Sequence, residues 1–225
     1  MSILTKLSSL AEPEYGDFVA KGAPSSYPVL GVRVPAIRKL AAEASDEEML
    51  EYLENAEPKS REEVHLFSFL LARKMKKNGL NREEFFNHVS RFDSWEMVDL
   101  FCASLKFVKK AKEEWLEIID ELLLGPEFST RMGLVLLLDY YVDAEYLEVV
   151  FERILGVKNR EEYYVKMAVA WLLQKCFVYF PDLTFSFMKN AKLPEWTLRK
   201  TISKIQDSYR IEKVWKEKAK YDIIS

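Results

Sequence analysis

Five stretches of this chain open with a helix-start signal, near Ser60, Ser94, Glu127, Asn159 and Pro194, and the starts lie 34, 33, 32 and 35 residues apart. A near-constant period of that length with room for two helices per unit restricts the fold severely. A lone helical hairpin cannot bury its apolar side, so repeated hairpins must stack on one another. The spacing predicts an all-α chain, an α-solenoid of five hairpins with Pro35 to about Ala56 as a shorter sixth, forming a single domain over residues 1–225. The period lies nearer to tetratricopeptide units than to standard HEAT units. The tetratricopeptide pattern of Trp, Leu-Gly and Tyr is absent, however, and spacing alone does not choose between the two.

Local signals agree with helix throughout. Ser45-Asp-Glu-Glu48, Ser60-Arg-Glu-Glu63, Asn81-Arg-Glu-Glu84 and Asn159-Arg-Glu-Glu162 each place a side-chain acceptor three residues before a Glu, the pattern of a capping box. Pro35, Pro126 and Pro194 stand where a proline opens a first turn, and Asn78-Gly79, Gly125-Pro126 and Phe180-Pro181 read as stops. With only 7 Gly and 8 Pro in 225 residues, breakers are scarce, and no strand-like alternation is sustained.

Charge and cysteine usage exclude several function classes. The balance of 33 basic against 36 acidic residues is not that of a non-specific nucleic-acid coat, so a polyanion partner requires a local patch. Basic residues do concentrate along the chain. Residues 1–64 hold 7 basic and 12 acidic side chains, and residues 189–225 hold 10 basic and 5 acidic. Cys102 and Cys176 lack metal-ligand spacing, His65 and His88 are isolated, and there is no Gly-rich phosphate loop. No metal and no cofactor is expected. The N-terminus has no signal-peptide apolar region, and the longest apolar run, Leu134 to Leu138, is far below the ~18 residues of a membrane span. The expected setting is cytoplasmic and reduced, with no membrane contact and a monomeric chain.

The most specific segment runs from Ser94 to Lys106. At 100° per residue, Trp95, Asp99, Cys102 and Lys106 share one stripe, and Met97, Phe101, Leu105 and Val108 share the stripe expected in the core. An indole one turn from a carboxylate on a non-core face suggests a site. The packing reading is Trp95 against the next repeat and Asp99 bonded to a neighbouring helix. Arg131, flanked by apolar residues in Phe128-Ser-Thr-Arg-Met-Gly-Leu-Val, is expected to face an anion, and Trp171 lies deep in a long helix. Opening helices of successive hairpins would form one layer, so Trp95, Asp99, Arg131 and Trp171 could line a common surface. Matching depths require the Trp171 helix to begin nearer Tyr163, or superhelical twist to make up the difference.

Five segments occur in an order that resembles AlkD-like DNA alkylation repair proteins: Gly31-Val-Arg-Val-Pro-Ala-Ile-Arg-Lys39, Asp93-Ser-Trp-Glu-Met-Val-Asp99, the Arg131 helix, Tyr163-Tyr-Val-Lys-Met-Ala-Val-Ala-Trp171 and Thr201 to Ile211. The resemblance covers roughly residues 13–212. It implies a HEAT-like solenoid whose concave face holds duplex DNA and an N-glycosidase that removes cationic N3- or N7-alkylated purines without flipping the base into a pocket. By the same resemblance Asp99, Trp95 and Trp171 are catalytic and Arg131 contacts a phosphate. Further candidate DNA contacts are Arg33, Arg38, Lys166, Arg199, Lys200, Lys204 and Arg210. Lys200 and Lys204 share a helix face, whose bland reading is a solvated charged helix. The Gly31–Arg33 stretch offers backbone amides before Pro35, and Arg33 and Arg38 would either assist there or bind the acidic segment Asp46 to Glu57. The competing functions are a non-catalytic module of the same family that binds nucleic acid or protein along its concave surface, and a purely structural scaffold.

Overall fold

The computed structural model describes residues 2–158 and 161–223, which form fourteen α-helices, one 3-10 turn and no strand. The chain clusters into two compact units, residues 1–107 and 108–225. No helix is long and apolar enough to cross a membrane.

The first unit contains α1 (Ile3–Ser8), α2 (Pro13–Gly22), α3 (Val34–Glu43), α4 (Asp46–Asn55), α5 (Arg61–Asn78), α6 (Arg82–Val89) and α7 (Trp95–Cys102). Helix α5 is its centre, packed by α3, α4 and α7. It is apolar on nearly every side, with Val64, Leu66, Phe67, Leu70 and Leu71 all buried, the pattern of a helix surrounded by others. The second unit contains α8 (Lys112–Leu123), α9 (Glu127–Tyr140), α10 (Leu147–Gly156), α11 (Tyr163–Tyr179), α12 (Pro181–Asn190), α13 (Glu195–Asp207) and α14 (Lys213–Asp222). Here α9 packs between α8 and α11, and α11 between α9 and α13, so opening helices stand side by side as in a solenoid. The apolar run Leu134 to Leu138 is buried in α9.

Four of the five expected hairpin starts fall within one residue of the observed helices. The exception is the fourth: α11 begins at Tyr163 with Glu162 at its N-cap, and the Asn159 and Arg160 of the expected box lie outside the described residues. The other boxes form to different degrees. Ser45 and Glu48 exchange both bonds. Ser60 and Asn81 each accept from the backbone N–H three residues on, while Glu63 turns to the Lys59 N–H and Glu84 to Lys74. Pro126 and Pro194 are N-caps rather than first-turn residues.

One glycine fixes the path into α3. Gly31 has φ +83°, its carbonyl accepts from the Glu12 N–H at 3.0 Å, and a Cβ there would stand 2.2 Å from the Glu12 carbonyl oxygen. Gly31→Ala is therefore expected to cost about 2–4 kcal/mol, from left-handed strain plus a backbone clash. Gly22→Ala, at a position with open space, is expected to be neutral or to stabilise by up to about 1 kcal/mol. Urea unfolding midpoints of the two variants check this contrast.

Candidate functional site

Helix α7 presents Trp95, 36% exposed, and Asp99, half-buried, on one outer stripe, while Met97, Val98 and Phe101 enter the core. The expected stripe is shorter than its sequence pattern. The helix ends at Cys102 and the chain turns back through Ser104 N–H to Phe101 O (2.9 Å) and Leu105 N–H to Cys102 O (3.0 Å). Cys102, the last residue of the helix, is buried, and Lys106 leaves the stripe for the 3-10 turn Lys106–Lys110.

Both ends of α7 are held by polar contacts within the first unit. Before the helix, Asp93 accepts from Ser25 Oγ (2.7 Å), Ser26 N–H (2.6 Å) and Ser26 Oγ (2.5 Å). In its first turn, Glu96 pairs with Arg61 at 3.3 Å and lies 3.8 Å from His65 Nε2. Arg61, only 2% exposed, also donates to the Ala23 carbonyl. At the far end, Arg38 donates to Ser104 Oγ (3.0 Å) and the Leu100 carbonyl (3.4 Å) with its guanidinium 4.1 Å from the Phe69 ring. The Glu96 carboxyl is held above the usual carboxylate range, chiefly by desolvation; Arg61 opposes the rise, and the negative charges of Glu62 and Asp99 add to it. A second carboxylate thus stands within electrostatic reach of Asp99.

Sequence reasoning passed over this cluster because Ser60-Arg-Glu-Glu63 reads as a cap. Its two middle residues, Arg61 and Glu62, instead turn inward and are buried. Glu62 corrects another expectation. Its carboxylate accepts from the backbone N–H groups of Leu30 (2.9 Å), Gly31 (2.8 Å) and Val32 (3.2 Å), so the amides read as open to a phosphate already hold an internal anion. Nor do Arg33 and Arg38 bind the acidic segment. Arg33 forms a two-pronged pair with Glu12 (2.8 and 2.9 Å) over the Tyr15 ring, and Arg73 and Lys77 take Asp46.

The second unit carries the other candidates. Trp171 is the ninth residue of α11 and 37% exposed, as the later helix start requires. Arg131 is 5% exposed and donates to the Tyr164 carbonyl at 3.1 Å, while Glu127 accepts from the Tyr164 N–H at 2.7 Å. It is thus largely buried. Its charge is nevertheless felt: desolvation lowers the Lys204 pKa, and the positive charges of Lys200 and Arg131 lower it further. Lys200 and Arg131 are therefore within electrostatic reach of Lys204, and the Asp207 carboxylate opposes them. The remaining basic candidates have partners. Lys166 stands 4.7 Å from the Trp196 ring, Arg199 pairs with Glu195 one turn back, and Arg210 lies 5.0 Å from the Tyr179 ring, whose hydroxyl its charge holds below the usual tyrosine range.

His65 and His88 are both buried, their pKa values pushed down to about 3 by desolvation and by nearby Arg61 and Arg91 respectively. His88 bonds Ser68 Oγ at 2.7 Å and stacks 4.6 Å from Phe67, as a packed neutral ring. Between pH 6.5 and about 3 the unfolded chain binds protons that these rings refuse in the fold. Stability is therefore expected to fall as pH falls through that window, by about 1.4 kcal/mol per pH unit per histidine. Urea midpoints at pH 7, 6 and 5 measure the slope, and His88→Gln should reduce it.

The comparisons with known proteins fit this arrangement. The family model of the DNA alkylation repair enzyme matches residues 3–205. A solved structure described as a predicted DNA alkylation repair enzyme from Enterococcus faecalis is 17% identical, covers 85% of this chain and 94% of its own, and superposes with a TM-score of 0.65. No curated protein matches. The stacked hairpins of both units are thus a shared fold, and the match over nearly the whole length shows that the chain belongs to the DNA alkylation repair enzyme family.

Proposed function

We propose that this chain is a DNA N-glycosylase that hydrolyses the bond between deoxyribose and an N3- or N7-alkylated purine in duplex DNA. The observation that carries the reading is the pairing of an exposed Trp95 with a half-buried, accessible Asp99 on one face of α7, in a chain of this family. An alkylated purine is cationic, leaves as a neutral base and needs no strong general acid. Positive charge develops instead on the sugar, where the Asp99 carboxylate stabilises it and orients the attacking water. The Trp95 indole face adds an attraction of roughly 0.5–2 kcal/mol to a cation, and Trp171 has the same role by family likeness. Lys200 and Lys204, with the charge of Arg131 beside them, are the best-placed phosphate contacts of the second unit. Lys166, Arg199 and Arg210 are secondary contacts that would have to leave their present partners. The same reading places a monomeric protein in the cytoplasm.

Incubation of the purified protein with duplex DNA carrying N7-methylguanine or N3-methyladenine, followed by chromatography of free base, tests the assignment. Release above the spontaneous rate supports it. DNA binding without release would assign the chain to a non-catalytic binding module.

A further inference from the structure

Beside the α7 stripe, in the same unit, a groove of about 340 Å³ lies among α3, α5 and α7. Arg38, Arg73, Lys76 and Lys106 line it, Phe69 contributes to its wall, and it has no carboxylate among its lining residues. Arg73 is neutralised elsewhere. It donates to the carbonyls of Ala41 (3.1 Å) and Ala44 (2.6 Å) and pairs with Asp46 (2.9 Å), the carboxylate that also takes Lys77. The other three cations form no ion pair among the described residues. Arg38 is the telling one. Its side chain is half-buried and spends two donors on neutral acceptors, Ser104 Oγ and the Leu100 carbonyl, with Cζ over the Phe69 ring. Three of its five N–H donors remain. Desolvation lowers its pKa, as expected of a charge withdrawn from water without a counter-ion. A fork held by an aromatic ring and a hydroxyl, flanked by two exposed lysines, is prearranged for an oxyanion.

We propose that this groove is a phosphate subsite for a nucleic-acid backbone, in which Arg38, Lys76 and Lys106 hold one phosphodiester group. Arg38 bonds the carbonyl of Leu100, the residue after Asp99, and Ala103 of the groove lies one turn, about 6 Å along α7, beyond Asp99. A phosphate bound here belongs to the strand next to the carboxylate. That placement rests on the glycosylase reading; the binding of the phosphate does not. The anion is recognised as a phosphate oxyanion, and a free phosphate is its alternative source.

The test measures binding of a fluorescein-labelled duplex by anisotropy over a range of NaCl, with base release assayed on the same preparations. Lys76→Gln/Lys106→Gln, at exposed positions, is expected to weaken binding about tenfold at low salt. It should also reduce the slope of log K against log salt by about 1–2, as loss of one or two phosphate contacts requires. Arg38→Lys, which keeps charge and loses the fork, should weaken binding by a smaller factor with the slope nearly retained. Lys21→Gln/Lys39→Gln removes the same charge from the same unit away from the groove and should leave the slope unchanged. Equal slopes for both double variants overturn the proposal. Inorganic phosphate that displaces the duplex from wild type at matched ionic strength, but not from Lys76→Gln/Lys106→Gln, overturns the backbone assignment in favour of a free-phosphate site. The expected slope change with no base release by wild type upholds the subsite and ends the glycosylase reading; base release with unchanged slopes does the reverse.

Discussion

Asp99→Asn is expected to lower release of N7-methylguanine from duplex DNA by about 10³-fold while leaving DNA affinity equal or slightly higher. The substitution keeps the shape of the side chain and removes one negative charge. A carboxylate about 4 Å from a unit positive charge gains roughly 4 kcal/mol at an effective dielectric of 20, and each 1.36 kcal/mol is a factor of ten in rate. The charge exists on the sugar only as the bond to the base stretches, so the loss falls on turnover and not on binding. Removing a negative charge from a surface that faces phosphates can only help association. Single-turnover base release and anisotropy on one preparation separate the two effects. Cys102→Ala provides the contrast, because Cys102 is buried in the core of α7 and its replacement is expected to cost stability and leave base release in place. An Asp99→Asn protein that releases base at the wild-type rate would remove the carboxylate from the mechanism.

The hairpin architecture was legible because helix starts and breakers are local. Ser45, Ser60 and Asn81 do act as N-caps, and Asn78-Gly79 does end α5, since each signal needs only its own four or five residues. The Trp95–Asp99 stripe was legible for the same reason, being a matter of helical angle over one turn. What escaped is every feature decided by chain segments that meet from a distance. Glu62 finds the amides of residues 30–32 across 30 positions of sequence, and Arg61 finds Glu96 across 35. No spacing rule contains those separations. Arg131 belongs with them, since it meets the Tyr164 carbonyl across 33 positions of sequence. Lys106 was misplaced because the stripe was extended past the point where the helix stops. The groove at Arg38, Lys76 and Lys106 draws on three helices and a turn, and its lysines read individually as ordinary surface charge.

Arg61→Ala is expected to destabilise the protein by about 3–5 kcal/mol, one of the largest losses available to a single side chain here. Arg61 is 2% exposed, bonds the Ala23 carbonyl and faces the Glu96 carboxylate at 3.3 Å. The truncation leaves a mostly buried carboxylate without its cation, beside the buried Glu62, and a carbonyl without its donor. In a chain of this length, about 2–4 °C of melting temperature accompanies each kcal/mol, so a fall of roughly 10 °C is expected in a thermal melt. Lys39→Ala, which breaks an exposed pair with Glu43 at 3.8 Å, should shift the melt by less than about 2 °C. The double variant Arg61→Met/Glu96→Met decides whether the loss comes from stranding a charge or from lost packing. Methionines of similar reach fill the volume and leave neither ion alone, so the double variant should recover most of the stability that Arg61→Ala loses. Its base release reads the second consequence. Glu96 follows Trp95 in the first turn of α7, so a fold regained with release still low would show that the Arg61–Glu96 pair sets the pose of that turn and, through it, of Trp95 and Asp99; release that returned with the fold would assign the pair to stability alone.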